Sequence, residues 1–263
     1  MLQLVIPAYN EQGRLPRTLR ELRRHVLGTR GLNRPVEVVV VDNASTDATA
    51  EVARAADGPG LRVRVVACPT RGKGAAVRAG IAVTDAPVVG FMDADGATHL
   101  DALEEACRRL ALGADVVIGS RGAEGALTEA RHSRLREHGA SVYRACTARI
   151  VPGITDTQCG FKVMAGDLGR AVFAELRTTG FAFDVEVLAR ARALGARIEE
   201  FPVTWTDVPG STFVPLRHGA GSFVDLGRIA WYARRARVAQ PLPAPVALPV
   251  PVAPVAHAAV AEA

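Results

Sequence analysis

Aromatic residues are scarce: eight Phe, three Tyr and two Trp make up 5% of a 263-residue chain. Nucleic-acid binding usually interleaves stacking rings with cations. No such stripe and no recognised nucleic-acid motif accompanies the net charge of +5. Nucleic acid is therefore not an expected partner, and the positive charge suits other anions. Cysteine is equally sparse. Cys68, Cys107, Cys146 and Cys159 stand apart with no CxxC spacing, which reads as reduced thiols in a cytosolic protein, not a disulfide or zinc framework. A GxGxxG turn and a GxxxxGK[ST] loop are both missing, which lowers the ordinary dinucleotide and P-loop readings. No apolar run approaches the ~18–20 residues that span a bilayer. With a first strand expected from Leu2, no signal peptide or N-terminal anchor is expected either. The expected location is the cytoplasm, with peripheral contact at the inner face of the membrane left open.

What the chain does have is alternation. Apolar, β-branched runs at Leu2–Ile6, Val36–Val41, Arg62–Ala67, Val88–Met92 and Asp115–Gly119 read as strands. Between them, Arg14–Val26, Lys73–Val83 and Leu100–Leu112 read as helices. A further helix is expected after Asp42-Asn43, with Ser45 or Thr46 as its N-cap and Asp47 in its first turn. Buried strands alternating with helices predict an α/β fold with a mostly parallel central sheet flanked by helices. Ligands of such sheets bind beyond the carboxyl ends of the strands. The polar clusters Pro7–Glu11, Asp42–Asp47, Arg71–Gly74, Asp93–Asp95 and Ser120-Arg121 all fall at those ends. At 49% hydrophobic, residues 1–238 can bury one core, read as one domain with a first half (1–121) and an appended half (122–238). Residues 239–263 hold six of the sixteen prolines with almost no charge and read as a disordered tail.

The run VVGFMDADGAT, residues 88–98, is the most informative stretch. Alternate side chains of an extended backbone share a face, so Asp93 and Asp95 point the same way. Two such carboxylates repel unless a cation lies between them, and hard oxygen ligands favour Mg²⁺ or Mn²⁺ with substrate phosphates completing the shell. An isolated pair reads first as a surface turn with two solvated acids. The other strand-end clusters change that reading. Among them, Arg71 and Lys73 lie in a Gly-flanked loop before a helix, suited to phosphate or base-edge contacts or simply to solvation.

The series VIPAYNE, VVVVDNASTDAT, RGKGAAVRAGI, MDADGAT, IGSR, DTQCGFK, FAFDVEVL and VTWTDVPGS resembles the family 2 glycosyltransferases over about Leu2–Tyr232. Within them it is most similar to the dolichyl-phosphate β-glucosyltransferase branch, with the polyprenyl-phosphate mannosyltransferases as cousins. The resemblance implies a GT-A-type nucleotide-sugar-binding fold, with 1–121 as its nucleotide-binding half and 122–238 as its acceptor half, a nucleotide-sugar donor, a divalent cation and inversion at the anomeric carbon. It implies that Pro7, Tyr9 and Glu11 wrap the nucleoside and that Asp42 accepts a hydrogen bond from a uracil ring. Asp93 would then meet the ribose and the metal-water shell, Asp95 would ligate the metal directly, and Ala94 joins them among the donor-binding residues. On the acceptor side stand Arg121, a candidate phosphate contact, together with Arg131, Asp184 and Glu186, one of the last two being a structural tether.

Asp156 has two readings. An alcohol acceptor needs a general base, and Asp156 is the leading one; a phosphate monoester is already ionised near neutral pH and needs none. In the latter case Asp156 positions substrate. Three departures from the family's pattern bear on this. Ala97, two places after Asp95, fits the glucosyl branch and favours UDP-glucose. Thr212 stands where relatives carry a lysine, and Arg217 is its candidate substitute. Residues Arg131–Ile150 are more polar than the membrane-seated segment the family has there, although their cations suit anionic headgroups. The expected acceptor is thus a polyprenyl phosphate, with a soluble small-molecule acceptor as the alternative and a non-catalytic nucleotide binder as a lesser one.

Overall fold

The computed structural model describes residues 1–28, 32, 35–129, 134–208 and 215–235. The first half alternates strictly: β1 (Leu2–Ala8), α1 (Leu15–Gly28), β2 (Val36–Asp42), α2 (Thr49–Arg54), β3 (Arg62–Ala67), α3 (Lys73–Ala82), β4 (Val88–Met92), α4 (Ala102–Ala111) and β5 (Val116–Ser120). Short β6 (Leu127–Glu129) and long α5 (Arg134–Ile150) lead to β7 (Phe161–Ala165), α6 (Gly166–Ala174) and α7 (Phe183–Ala193). The described chain closes with β8 (Ile198–Pro202), β9 (Thr204–Thr206) and α8 (Pro215–Arg235). The expected tail, 239–263, lies outside the described residues.

Among the described residues the main sheet has seven strands in the order β3-β2-β1-β4-β7-β5-β8. β1 runs parallel to β2 and β4, and β2 to β3. β7 enters antiparallel between β4 and β5, which therefore never touch as strands. The five strand ends read from the sequence do share one edge. Because β7 is reversed, its start, not its end, lies there too, and it carries the loop of residues 151–160 to the same edge.

The two faces of the sheet follow the period of two along each strand. Leu2, Leu4, Ile6, Val38 and Val40 face one side and pack on Leu15, Leu19 and Leu22 of α1 and Leu103, Ala106 and Leu110 of α4. Val5, Val39, Val41 and Phe91 face the other, against Val77 and Ile81 of α3, Leu168 of α6 and Phe183 and Leu188 of α7. Gln3 is the polar exception in β1, and its amide is engaged at both its nitrogen and its oxygen. Nε2 donates to Glu37 (2.7 Å), and Oε1 accepts the N–H groups of Asp85 and Ala86 (both 2.8 Å). Among the described residues, no helix is long and apolar enough to cross a membrane.

Candidate active site

The site grows from the strand ends. β1, β2 and β3 are neighbours, so Tyr9, Asp42 and the loop after Ala67 emerge side by side. The Arg71 guanidinium lies 5.8 Å from the centre of the exposed Tyr9 ring. Below this pair, Asp42 Oδ1 accepts the Ser45 N–H (3.2 Å). Pro7 is the half-buried penultimate residue of β1, paired with Val41. Asn43, which the sequence offered only as a strand end, organises the slot from underneath. Its Nδ2 donates to the carbonyls of Cys68 (3.1 Å) and Thr70 (2.6 Å), and its Oδ1 accepts the Gly72 N–H (2.8 Å). At Gly72, φ is +128° and an added Cβ would lie 2.2 Å from the Thr179 carbonyl oxygen, so this turn requires glycine.

The expected cap of the second helix is different. α2 starts at Thr49 with Ala48 at the cap position. Ser45 and Thr46 are drawn away to Asn10: Ser45 Oγ accepts the Asn10 N–H (3.1 Å), and Asn10 Oδ1 accepts the Thr46 N–H (2.8 Å). Asp47 instead precedes the helix and accepts from Gln12 (3.2 Å) and Thr49 (3.0 Å). Asn10 and Ala44 adopt φ of 55° and 59°, a strained choice for residues other than glycine. The two loops are thus zipped into one rim.

Asp93 and Asp95 follow β4. Lys73 Nζ lies 2.6 Å from Asp93 Oδ1. Burial opposes the lysine's charge, but Asp93 and Asp184 more than offset this and hold its pKa above the ordinary value. Asp95 Oδ1 accepts the Ala97 N–H (3.0 Å). Burial first, and then the charge of Asp93, push the Asp95 carboxyl above the usual carboxylate range. Two neighbouring hard-oxygen ligands at one strand end, the charge of one bearing on the other, are a donor set that suits a divalent cation, so these residues fit one. The loop is braced on both sides. Thr18 Oγ1 donates to the Ala94 carbonyl (2.7 Å), and β9 supports the outer edge through Thr206 N to Ala97 O (3.0 Å). Gly160 is the floor: a Cβ there would lie 2.0 Å from Asp93 Oδ2. Glu11 is buried beside the pair but engaged by Arg14, whose Nε donates to it at 2.7 Å. Burial raises the Glu11 pKa, partly offset by Arg14.

Arg121 leaves the end of β5 and meets Asp156 with both forks of its guanidinium: Nε to Oδ2 at 2.7 Å and Nη2 to Oδ1 at 2.9 Å. Its backbone N–H adds a third bond to Oδ2 (3.0 Å), and its cation lies 5.5 Å from the Trp205 ring centre. Burial works against ionisation of Asp156, but Arg121 outweighs it and holds the carboxyl below its ordinary range. Glu200 of β8, which sequence reasoning missed, anchors the loop by accepting the N–H groups of Thr155 (2.9 Å) and Asp156 (2.8 Å).

Asp184 and Glu186 are both tethers, which corrects their expected place on the acceptor side. Each is 2% exposed. Asp184 is ion-paired with the fully buried Lys162, whose Nζ also donates to the Cys159 carbonyl (2.7 Å). Glu186 accepts the Thr178 N–H (2.8 Å) and pairs with Arg190 (2.7 Å). Neither carboxylate is open to a substrate. Arg131, Thr212 and the side chain of Arg217 lie outside the described residues.

Residues 3–167 match the family described as Glycosyl transferase family 2. The chain belongs to that family. Among curated proteins, this glycosyltransferase is 36% identical over 243 residues to the dolichyl-phosphate β-glucosyltransferase of Drosophila melanogaster, covering 86% of this chain and 72% of that one. It is 35% identical over 250 residues to the human dolichyl-phosphate β-glucosyltransferase, covering 89% and 74%. Among solved structures, glucosyl-3-phosphoglycerate synthase from Mycobacterium tuberculosis in complex with UDP superposes with a TM-score of 0.65 at 20% identity, covering 89% of this chain and 79% of that one. That likeness is one of fold, the GT-A type. In this family 2 enzyme the described geometry offers a ring-and-cation slot, a carboxylate pair beside a lysine, and an arginine clamped at the neighbouring strand end.

Proposed function

We propose that this glycosyltransferase moves glucose from UDP-glucose to the phosphate of a polyprenyl phosphate of the dolichyl type, with inversion at the anomeric carbon. One observation carries the choice of acceptor: Asp156 is clamped through both oxygens by Arg121 and its pKa is depressed, so it is a poor proton acceptor. Without a free base at that strand end, the nucleophile has to arrive ionised, as a phosphate monoester does. The names of the curated relatives support the same acceptor and sugar. Ala97 supports the glucosyl branch over the mannosyl one.

Tyr9 and Arg71 would sandwich the base, with Asp42 accepting a ring N–H between them. Asp93 and Asp95 would hold Mg²⁺ or Mn²⁺, ions present in crystals of the structural neighbours. When bound, the ion would neutralise charge on the departing diphosphate. Arg121 would draw the acceptor phosphate to the sugar's open face. A phosphate oxygen then forms the new bond to the anomeric carbon as the bond to UDP breaks, its electron pair leaving with UDP. Lys73, paired with Asp93, holds that carboxylate in place throughout.

The acceptor would be met at a membrane surface. The Arg131–Ile150 segment is polar, yet α5 exposes Val142, and α8 beside it exposes Phe223, Val224 and Trp231. The Tyr143 and Phe223 rings, 5.7 Å apart, join the two helices. Arg144, Arg149 and Arg228 on the same helices suit anionic headgroups, each at ~1 kcal/mol near the surface.

The test is product analysis with UDP-glucose, Mn²⁺ and a short-chain polyprenyl phosphate. The expected product gains one hexosyl group and partitions into organic solvent. Preference for GDP-mannose would overturn the donor. A product formed only on water-soluble acceptors would overturn the lipid.

A further inference from the structure

We infer a second divalent-metal site, of the Zn²⁺ class, on the outer side of the Asp93–Asp95 loop, built from His25, Asp101 and Glu104. His25 ends α1; Asp101 and Glu104 open α4. One ligand atom from each lies within 4.8 Å of the others. Metal–ligand bonds of ~2.0–2.2 Å arranged tetrahedrally put donor atoms about 3.3–3.6 Å apart, so small side-chain rotations close the set.

The second observation is the state of the atoms. His25 Nε2 stands 2.8 Å from Glu104 Oε1, yet His25 Nε2 and Glu104 Oε2 are both buried without a hydrogen bond. Buried polar atoms without hydrogen bonds are costly and call for an explanation. A cation shared by them supplies it, because one ion can take an electron pair from the imidazole nitrogen and from a carboxylate oxygen at once. One nitrogen and two oxygens suit a borderline ion such as Zn²⁺ better than Mg²⁺, which prefers oxygen alone. His99 Nδ1 lies 3.1 Å from Asp101 Oδ2, a supporting contact that orients the exposed ligand.

The site has an entrance. A cavity of about 500 Å³ adjoins it, lined by His25, His99, Glu21, Arg24, Gly96 and Thr98 among others. Glu21 is already paired with Arg17, and Arg24 is the one cation among those named, so charge there is mixed. Gly96 and Thr98 belong to the loop that carries Asp95. An ion here would therefore staple α1 to α4 behind that loop, at a place distinct from the donor site.

Zinc stoichiometry tests this on the full chain carrying Asp95→Ala, so that the donor site is crippled, with no nucleotide present. After dialysis against Zn²⁺, we expect one bound equivalent by elemental analysis and a rise in melting temperature. Adding His25→Ala or Glu104→Gln should abolish both, and His99→Ala should weaken binding by ~10–100-fold. Should His25→Ala fail to fold, Glu104→Gln decides. The inference is overturned if the Asp95→Ala protein binds no zinc, or if its zinc survives Glu104→Gln.

Discussion

Asp156→Asn separates the two roles open to that residue. The amide keeps the shape of the carboxylate but turns one acceptor into an NH₂ facing the guanidinium. Three bonds are affected: Nε–Oδ2 at 2.7 Å, Nη2–Oδ1 at 2.9 Å and the Arg121 N–H to Oδ2 at 3.0 Å. Removing one partner of a buried pair costs about 3–5 kcal/mol. The Arg121 side chain is 32% exposed and can recover water, so a loss of roughly 2–3 kcal/mol is expected in urea melts. Transfer should fall by ~10–100-fold, or about 1.4–2.7 kcal/mol, because Arg121 is no longer aimed. The acid limb of the pH–rate profile should persist in the variant, since it belongs to the acceptor phosphate, whose second pKa is ~6. The stability effect has its own pH signature. The folded pKa of Asp156 lies below its ordinary value of 3.8, so its contribution is present above the unfolded pKa and fades as pH falls through the folded one. Wild type and variant should therefore converge in stability only in strong acid. A loss beyond ~10⁴-fold with unchanged stability, and disappearance of the acid limb, would refute this and make Asp156 the base.

Three further outcomes are expected. Asp95→Ala should abolish transfer and Mn²⁺-dependent UDP binding in calorimetry while folding as well as wild type, because it removes a carboxylate whose ionisation burial and Asp93 oppose; near-normal turnover at saturating Mn²⁺ would sink the assignment. Gly160→Ala puts a Cβ 2.0 Å from Asp93 Oδ2 and forces that carboxylate to move. Turnover should drop about 100-fold for a shift of ~1 Å, against a stability loss of ~1–3 kcal/mol, and unchanged kinetics would show that Asp93's orientation is immaterial. Lys162→Met strands Asp184 in the core and should cost about 3–5 kcal/mol in denaturant titration. Adding Asp184→Leu should recover most of it, and failure of that rescue would mean the lysine's contact with the Cys159 carbonyl matters more than the ion pair.

Much of the alternating first half of the chain was legible because its signals are local. Val36–Asp42 is an uninterrupted β-branched run with acids at its end, and Asp93 and Asp95 announce themselves by spacing. Motifs far apart in the chain, such as DADGAT and DTQCGFK, placed it in its family. Direction and partnership were not legible. FKVMA forms β7, and nothing in its five residues says it will run backwards between β4 and β5. Asp184 and Glu186 sit on one helix as two similar acids. What silences them is Lys162 on a strand 22 residues earlier, and backbone N–H groups at Arg177 and Thr178 that only the fold delivers. Ser45 and Thr46 have the chemistry of a cap, and Asn10, 35 and 36 residues upstream, outcompetes the helix for them.

The reversed strand also sets an order of events during synthesis. Until residue 165 has left the ribosome, β4 lacks one neighbour and β5 lacks both, since among the described residues β5 pairs with β7 and the still later β8 alone. A chain cut after residue 121 would expose the buried edges of two apolar strands, the usual invitation to aggregate. The donor floor, Gly160, arrives in the same late piece. Residues 1–121 and 122–238 therefore share one sheet, and any chimera that replaces the second stretch must carry residues 160–165 with the old sheet.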